Sequence, residues 1–259
     1  MDSGFGELLR DWRRQRKISQ LDLALLADTS ARHLSCVETG RAQPSREMVL
    51  RLATALDVPL RERNELLLAA GYAPFYRESS LEDEEMSAVR AALDAILTNH
   101  EPYPAVVVDR CWNVVAGNRG MALLMDGIPP ELLAPRPNVF RLALHPAGLA
   151  ARLVNLHEVR ELFLDRLRRQ VRITGDADLR ALHEEVSRYP VPDGAKPPAT
   201  RRSPIEVPLR IRTADGELAL FSTMATFGAS ADVTLSELAI ELFYPLDEAT
   251  GRALTALAG

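Results

Sequence analysis

The chain has 259 residues, of which 47% are hydrophobic and 26% are charged. This is the composition of a soluble globular protein with room for two domains. No apolar run approaches the ~20 residues of a membrane-spanning helix, and the N-terminus lacks the basic-then-apolar order of a signal peptide. We therefore expect a cytoplasmic protein that does not enter the membrane.

Charge and cysteine content narrow the class of protein further. The formal net charge is −5, but residues 1–77 carry 12 Lys and Arg against 10 Asp and Glu, so the acidic excess lies in the remainder. A small helical domain needs only a local basic face to hold DNA phosphates. The two cysteines, Cys36 and Cys111, are far apart and in no metal-ligand spacing, so we expect neither a disulfide nor a metal site.

The first 75 residues predict a domain of five helices. Apolar residues of the first helix recur at helical spacing from Phe5 to Trp12, and its opposite face is rich in arginine. Serines stand at the N-cap positions of the following helices, and Gly40 closes the third helix after Glu38. A fourth helix and a fifth, at about 60–70, follow. Two short helices joined by a turn, between flanking helices, form the helix-turn-helix layout.

A set of residues between 18 and 56 has the spacing of a known family of regulators. The set is Ile18-Ser19-Gln20, Leu23-Ala24, Ser30, Leu34-Ser35, Glu38, Gly40-Arg41, Pro44-Ser45 and Leu52-Ala53 to Leu56. It resembles the XRE/Cro-repressor family of DNA-binding proteins. The resemblance implies that the third helix enters the major groove and reads base edges through Ser30, Ala31, Arg32, Ser35 and Cys36.

The resemblance also implies individual roles for four polar side chains. Arg32 is expected to be the main base reader, because a guanidinium can bond guanine in bidentate fashion. Gln20, Arg41 and Arg13 are expected to contact phosphates, which position the protein without specifying sequence. For Arg32 and Arg13, a solvated surface charge remains the alternative.

The chain departs from the family pattern in three places. Asp28 stands where a turn glycine is common, and aspartate tolerates the unusual backbone angles of such a turn. Cys36 replaces a position that is often polar or basic. Leu21, Leu25 and Leu26 occupy sites usually given to exposed charged residues, so we expect the fifth helix, the second domain or a dimer partner to cover them.

Residues 79–259 predict a second domain of mixed strands and helices, after a first domain at 1–78. Strands are predicted at 104–109, 112–116, 205–212, 217–225 and 235–244, with a helix capped by Asn118 and longer helices at 154–171 and 177–189. A five-stranded antiparallel sheet around a helical layer is PAS-like architecture. The fold class is therefore multidomain, with an all-α domain followed by an α+β domain.

A second set of residues has the pattern of one subgroup of these regulators. It comprises the run from Asn64 to Pro74, Pro104 to Asp109, Asn118, Asn138 to Arg141, Leu144-His145-Pro146, Asn155, Phe227-Gly228, Asp232 to Leu235, Glu237-Leu238, Ile240-Glu241 and Pro245. These residues resemble the MmyB-like regulators. The resemblance implies a C-terminal pocket for a small apolar molecule, with no cofactor beyond a fatty acid or similar bound effector.

The residues that would line such a pocket are apolar side chains of the second domain. The candidates are Phe140, Leu144, Phe163, Leu167, Phe221 and Phe227, which as an alternative simply fill a core. Arg141 is the candidate for holding a carboxylate head group, because a guanidinium fork matches a carboxylate. Asn118, His145 and Asn155 are further polar candidates, for which helix capping and bonds to loop backbone are the alternative.

The sequence distinguishes an enzyme from two kinds of DNA-binding regulator. For an enzyme, the sequence contains neither a Gly-x-Ser-x-Gly elbow nor a phosphate-binding glycine loop, and its histidines lack zinc-protease spacing, so catalysis is not expected. The favoured function is a one-component transcription regulator that binds an operator in double-stranded DNA as a homodimer and senses a small apolar effector. The alternative is a DNA-binding regulator whose C-terminal domain only mediates protein interaction or dimerisation.

Overall fold

A computed structural model describes residues 4–191, 207–214, 216–228 and 231–258. The chain folds into two compact units. The N-terminal unit comprises Met1–Ser79, Arg172–Thr174 and Ala229–Ser236, and the C-terminal unit comprises Ser80–Val171, Gly175–Gly228 and Glu237–Gly259. Within the described residues, no helix combines the length and the apolar character that crossing a membrane requires.

The N-terminal unit contains the five helices that the sequence predicts. They are α1 (Phe5–Gln15), α2 (Gln20–Leu26), α3 (Ala31–Glu38), α4 (Arg46–Ala55) and α5 (Leu60–Ala69). The hydroxyl groups of Ser19, Ser30 and Ser45 each accept a hydrogen bond from the backbone N–H three residues further on. These bonds satisfy N–H groups that have no partner inside the helix, and they confirm the predicted caps of α2, α3 and α4.

The apolar stripes of the five helices meet in one core. Its largest fully buried members are Leu9, Leu23, Leu34, Leu52, Leu56, Leu66 and Leu67. The turn between α2 and α3 has left-handed backbone at Asp28, with φ of 49°. The turn after α3 has left-handed backbone at Gly40, with φ of 71°. The prediction that aspartate can replace glycine in the first turn is therefore confirmed.

Three leucines on the outer face of α2 stay outside this core. Leu21, Leu25 and Leu26 are 61%, 72% and 63% exposed. The expectation that the fifth helix covers them is wrong, because α5 directs Leu66 and Leu67 into the core instead. Cover by the second domain or by a dimer partner stays a prediction.

The C-terminal unit is built on a five-stranded antiparallel sheet. The strands are β1 (Ala105–Val108), β2 (Val114–Gly117), β3 (Leu209–Thr213), β4 (Gly216–Thr226) and β5 (Ala239–Pro245), and their order is β2-β1-β5-β4-β3. Sequential strands β1 and β2 form one hairpin, and β3 and β4 form another, while β5 returns to the centre and pairs with β1 and β4. Residues 205 and 206 of the predicted third strand, and Asp215 of the predicted hairpin turn, lie outside the described residues.

Eight helices follow α5 in the described residues, and some of them were not predicted. The helices are α6 (Ser87–Asn99), α7 (Arg119–Leu124), α8 (Pro130–Leu133), α9 (Val139–Leu144), α10 (Leu156–Thr174), α11 (Ala177–Ser187), α12 (Val233–Glu237) and α13 (Glu248–Ala258). The prediction of a strand from Leu235 is wrong at its start, because Asp232 caps a short helix there through the N–H of Leu235. The short α8 and α9 and the terminal α13 were not predicted.

One face of the sheet carries the main core of the C-terminal unit. Val106, Ile211, Leu220 and Phe243 from four strands pack with apolar residues of α9, α10 and α11. At the end of the β1–β2 turn, Trp112 adopts left-handed backbone and brings its ring edge-on to Phe140, which in turn meets Phe163 edge-on. This aromatic chain joins the turn to the helical layer.

Candidate DNA-binding face and ligand-binding domain

The outward side of α3 combines exposed polar residues with a buried apolar inner side. Arg32 is exposed, Ser35 and Cys36 are partly buried, and Leu34 and Val37 are almost fully buried in the core. The split follows from helical periodicity, since residues three and four apart share a face. The other two predicted base-edge positions are Ser30, exposed at the N-cap, and Ala31, partly buried.

A buried carboxylate fixes the inner end of this helix. Glu38 is only 2% exposed, and its two oxygens accept hydrogen bonds from Nε and Nη2 of Arg13 at 2.6 and 2.9 Å. Nε2 of Gln20 donates to the same carboxylate at 2.7 Å, and Nη2 of Arg10 donates to the backbone carbonyl of Glu38 at 2.6 Å. Residues of α1 and α2 therefore hold the last turn of α3; we call this set the Glu38 clamp.

The clamp changes the interpretation of two predicted phosphate contacts. Arg13 is mostly buried and directs both ends of its guanidinium to Glu38, with a further bond to the carbonyl of Ile18. The prediction that Arg13 holds a phosphate is corrected to a structural role, since those donors are already occupied. Gln20 is partly buried and also donates to Glu38, although its place at the start of α2 agrees with the prediction.

The charges of the clamp set the protonation of its central carboxyl group. Burial raises the pKa of Glu38, but hydrogen bonds from Arg13 and Gln20, together with the positive charges of Arg13 and Arg10, outweigh it and hold the pKa below its ordinary value. The same pairing raises the pKa of Arg13. The clamp is therefore an ion pair throughout the neutral range.

Gly6 allows the helices of the clamp to approach each other. A Cβ atom added at Gly6 would lie 2.6 Å from the carbonyl oxygen of Glu38 and 2.7 Å from that of Val37. Both are backbone atoms, so no side-chain movement can relieve the contact. Sequence reasoning missed this role, although a glycine inside a helix is unfavourable enough to require a packing reason.

Arg41 lies just beyond α3 and remains accessible. It is exposed, and its Nε donates to the hydroxyl group of Thr39 at 3.0 Å. That hydroxyl in turn donates to the carbonyl of Ser35 at 2.7 Å. Arg41 is thus oriented from the end of α3 and remains exposed.

The predicted pocket residues of the second unit do not gather around one space. Phe140, Leu144, Phe163 and Leu167 are buried in the core, which is the alternative that the sequence left open. Phe221 lies one residue after Leu220 on β4, so strand alternation places it on the opposite face, where it stacks on Tyr244. Phe227 follows the end of β4 and is partly buried. The prediction of a single six-residue lining is therefore corrected.

Arg141 already has a carboxylate partner within the chain. Its Nε and Nη2 donate to the two carboxylate oxygens of Glu185 at 2.8 and 2.7 Å. The hydroxyl group of Tyr189 donates a hydrogen bond to the same carboxylate. Burial is the larger cause and this hydrogen bond the second cause that raises the pKa of Tyr189 to about 12. Because the guanidinium fork is occupied, the predicted role of Arg141 in binding an effector head group is not supported.

The other polar candidates bond to the backbone. Asn118 is buried, accepts from the N–H groups of Ala105 and Met121, and donates to the carbonyl of Tyr103. Asn155 links the start of α10 to β3 through Pro208 and Arg210. His145 accepts from the N–H of Ala147 through Nδ1. These contacts correspond to the capping and loop-bonding roles that were the alternative.

One buried carboxylate that sequence reasoning did not select lies on the core face of the sheet. Glu241 is 3% exposed on β5, between Ala239 and Phe243, which both contribute to the core on that face. Its Oε1 accepts from the hydroxyl group of Ser222 at 2.8 Å and lies 3.7 Å from Nη1 of Arg166. Within the described part of the chain, no donor reaches its Oε2.

The two units together define a class of protein. A helix-turn-helix with an accessible third helix precedes a sheet whose strand order is that of a PAS-like domain. Residues 5–66 match a helix-turn-helix domain model, and residues 89–257 match the model described as the MmyB-like transcription regulator ligand binding domain. The second match covers more than half of the chain, and the chain belongs to this family. Its domains are those of a DNA-binding transcription regulator with a ligand-binding C-terminal domain.

Comparisons with whole proteins add little to this assignment. No match is found among curated proteins. One matching solved structure is described as an RNA-binding light-oxygen-voltage receptor, at 13% identity and a TM-score of 0.26. The alignment covers 97% of this chain and 61% of that chain, and the TM-score is too low to support an argument.

Proposed function

We propose that this chain is a one-component, sequence-specific transcription regulator that acts as a cytoplasmic homodimer and has a binding rather than a catalytic role. The observation that carries the proposal is the outward side of α3, which presents Arg32 and partly buried small residues while the Glu38 clamp holds the helix from behind. A helix so held presents a fixed set of side chains to the major groove.

We propose different roles for the two accessible arginines. Arg32 reads a base pair, with Ser30, Ala31, Ser35 and Cys36 as neighbours on the reading face. Arg41 and the N-terminal end of α2 at Gln20 hold phosphates. Support comes from exposure: Arg32 and Arg41 are both exposed, in contrast to Arg13.

The DNA-binding part of the proposal is tested with operators selected from random double-stranded DNA. Arg32→Ala should lose roughly 1–3 kcal/mol of discrimination at one base pair. Arg41→Ala should weaken binding to every sequence and reduce the salt dependence by about one phosphate contact. Arg252→Ala, an exposed arginine of α13, controls for net charge. Equal effects of Arg32→Ala and Arg41→Ala on every DNA would refute the assignment.

Dimerisation through α2 is the next part of the proposal. Three adjacent exposed leucines on one short helix form an apolar surface that a second subunit would bury. Two reading helices would then address half-sites about 34–36 Å apart. Leu21→Glu with Leu25→Glu should shift native mass spectra from dimer to monomer. Leu68→Glu, at a leucine of α5 that is 58% exposed, is the control and should leave the dimer intact.

The C-terminal domain is proposed to bind a small effector with a largely apolar body. Family membership supports ligand binding. Native mass spectrometry of the purified protein should show an added mass that denaturation releases. An effector controls operator occupancy only if it binds the DNA-competent arrangement with a different affinity. Consistent absence of any small molecule would favour the second candidate, a domain that only dimerises.

A further inference from the structure

The segment that follows α5, residues 70–79, contacts the loop between α3 and α4, which carries Arg41. We call this segment the linker. We infer that Tyr72 and Phe75 of the linker are positioning residues, which hold the loop so that Arg41 meets a DNA phosphate without first being ordered. The inference rests on the proposed DNA-binding function and gives residues outside α2 and α3 a role in it.

The first argument is that the linker bonds the loop at two points. The hydroxyl group of Tyr72 donates to the backbone carbonyl of Pro44 at 3.0 Å. Nε2 of Gln43 donates to the backbone carbonyl of Ala70 at 3.1 Å. Pro44 is buried, and Tyr72 is partly buried against the core of the N-terminal unit. A loop held in this way has less conformational freedom to lose when it binds DNA.

The second argument is a ring contact at the end of the loop, where α4 begins. Arg46 is the first residue of α4, and its guanidinium lies over the ring of Phe75, 5.2 Å from the centroid. A positive charge is unfavourable at the N-terminus of a helix, but the face of an aromatic ring attracts a cation. Phe75 is 56% exposed, so burial in the core does not account for its position. The linker therefore holds the loop at α4 as well as at Pro44.

The third argument is the position of Arg41 between two fixed ends. On one side, the backbone N–H groups of Arg41 and Ala42 donate to the carbonyl of Cys36 in α3, at 2.8 and 3.1 Å. On the other side, the linker holds Pro44 and Arg46. Release of the linker contacts would leave the loop anchored at α3 alone, and Arg41 would have to be ordered by the DNA.

The positioning residues are themselves fixed, as this role requires. Gly71 has left-handed backbone, with φ of 82°, and the N–H of Tyr72 donates to the carbonyl of Leu67 at 2.8 Å. This is the usual way in which a glycine ends a helix and turns the chain back. Further along the linker, the N–H of Phe75 donates to Oδ1 of Asn64 in α5 at 2.9 Å. Both side chains thus project from backbone that α5 holds.

The test is a double-mutant cycle between Tyr72 and Arg41 in the full chain, with fluorescence anisotropy of a labelled DNA duplex of arbitrary sequence. Tyr72→Phe removes the bond to Pro44 and should weaken binding about three- to tenfold, with a smaller salt dependence. In an Arg41→Ala background the same substitution should change binding less than about twofold, because the contact that it positions is gone. The preference for a selected operator over this duplex should stay unchanged, since phosphate contacts serve every sequence.

Tyr76→Phe is the matched control. It removes the hydroxyl group of another tyrosine of the linker, which accepts from Nη1 of Arg63 in α5 at 3.0 Å, and it should leave DNA binding unchanged. Urea denaturation of both variants measures any loss of stability separately from DNA binding. Phe75→Leu keeps an apolar side chain without the ring face over Arg46 and should show the same dependence on Arg41. This variant decides the question if Tyr72→Phe does not fold.

The outcomes separate this inference from the proposed function. An equal loss of affinity from Tyr72→Phe with and without Arg41 would show that Tyr72 acts on the domain as a whole, and would overturn the inference. Wild-type affinity in Tyr72→Phe, together with weaker binding by Arg41→Ala, would overturn the inference and preserve the DNA-binding function. Unchanged binding by Arg41→Ala would leave no contact to position and would also overturn it. Failure of the wild-type chain to bind any duplex would refute both statements.

Discussion

The two units each bury a glutamate to almost the same extent, but they satisfy it differently. In the N-terminal unit, Glu38 accepts from Arg13 and Gln20 and has Arg10 nearby. In the C-terminal unit, Glu241 has one bonded oxygen and one oxygen without a donor in the described part of the chain. Burial alone therefore does not reveal the role of a charged side chain. The completeness of its hydrogen bonding decides how much stability should change when the side chain is removed.

The largest expected effect comes from removing the satisfied carboxylate. Glu38→Ala leaves the mostly buried guanidinium of Arg13 without its partner, and breaking such a pair lowers the free energy of unfolding by about 3–5 kcal/mol. Urea denaturation followed by circular dichroism measures the change. Glu65→Ala, at an exposed position of α5, is the control and should change stability by less than about 0.5 kcal/mol. A Glu38→Ala variant of near-wild-type stability would refute the clamp.

The next effect tests the close packing that the clamp requires. Gly6→Ala places a methyl group against the backbone carbonyls of Val37 and Glu38, so α1 must move away from α3. Overpacking of this kind lowers the free energy of unfolding by about 1–3 kcal/mol, despite the better helix propensity of alanine. Gly4→Ala, where an added Cβ meets nothing within 4 Å, is the matched control in the same denaturation experiment. Equal stability of the two variants would contradict the geometry.

The pH dependence of stability provides a smaller test of the same carboxylate. Because the pKa of Glu38 is lowered in the folded chain, its contribution is fully present above the ordinary glutamate pKa. That contribution is lost as the pH falls through the lowered value, so the free energy of unfolding should decrease on acidification. Denaturation between pH 7 and pH 3 measures the loss, and Glu38→Gln should show a weaker dependence. An unchanged slope in Glu38→Gln would assign the acid sensitivity to other groups.

The smallest effect is expected at Glu241, one of whose oxygens has no donor among the described residues. Glu241→Gln keeps an oxygen for Ser222 and removes a buried charge, but it also removes the ion-pair partner of Arg166 at 3.7 Å, so stability should change by less than about 1 kcal/mol. The same exchange at Glu38 should be destabilising. Thermal unfolding of the two variants side by side measures this contrast. A large loss of stability in Glu241→Gln would show that Glu241 is structural.

Local signals predicted the N-terminal unit closely. Serine caps, helical apolar spacing and Gly40 act within a few residues, and they located all five helices and the outward face of α3. The roles of Arg13 and Gly6 were missed because both depend on Glu38, which lies 25 or more residues away in the chain. Pairing across such a distance leaves no periodic pattern in the sequence.

The sequence predicted the C-terminal unit less completely. Runs of β-branched residues marked the first strands, but the predicted fifth strand began at Leu235, which lies in α12, because an apolar residue fits either conformation. Predicted pocket residues were chosen for apolar character, which core and pocket residues share. Glu241 was named only within a motif, because a single carboxylate in a strand does not indicate whether both of its oxygens find donors.

The Glu38 clamp has a consequence for how this regulator can change its operator. The clamp uses Arg10, Arg13 and Gln20 behind α3, whereas the proposed base-reading positions are on the other side of the helix. Substitutions at positions 32, 35 and 36 therefore leave the bonds that hold the helix intact. Operator preference can therefore be redesigned, or can diverge between paralogues, without a loss of folding stability. No compensating substitution elsewhere in the domain is then needed.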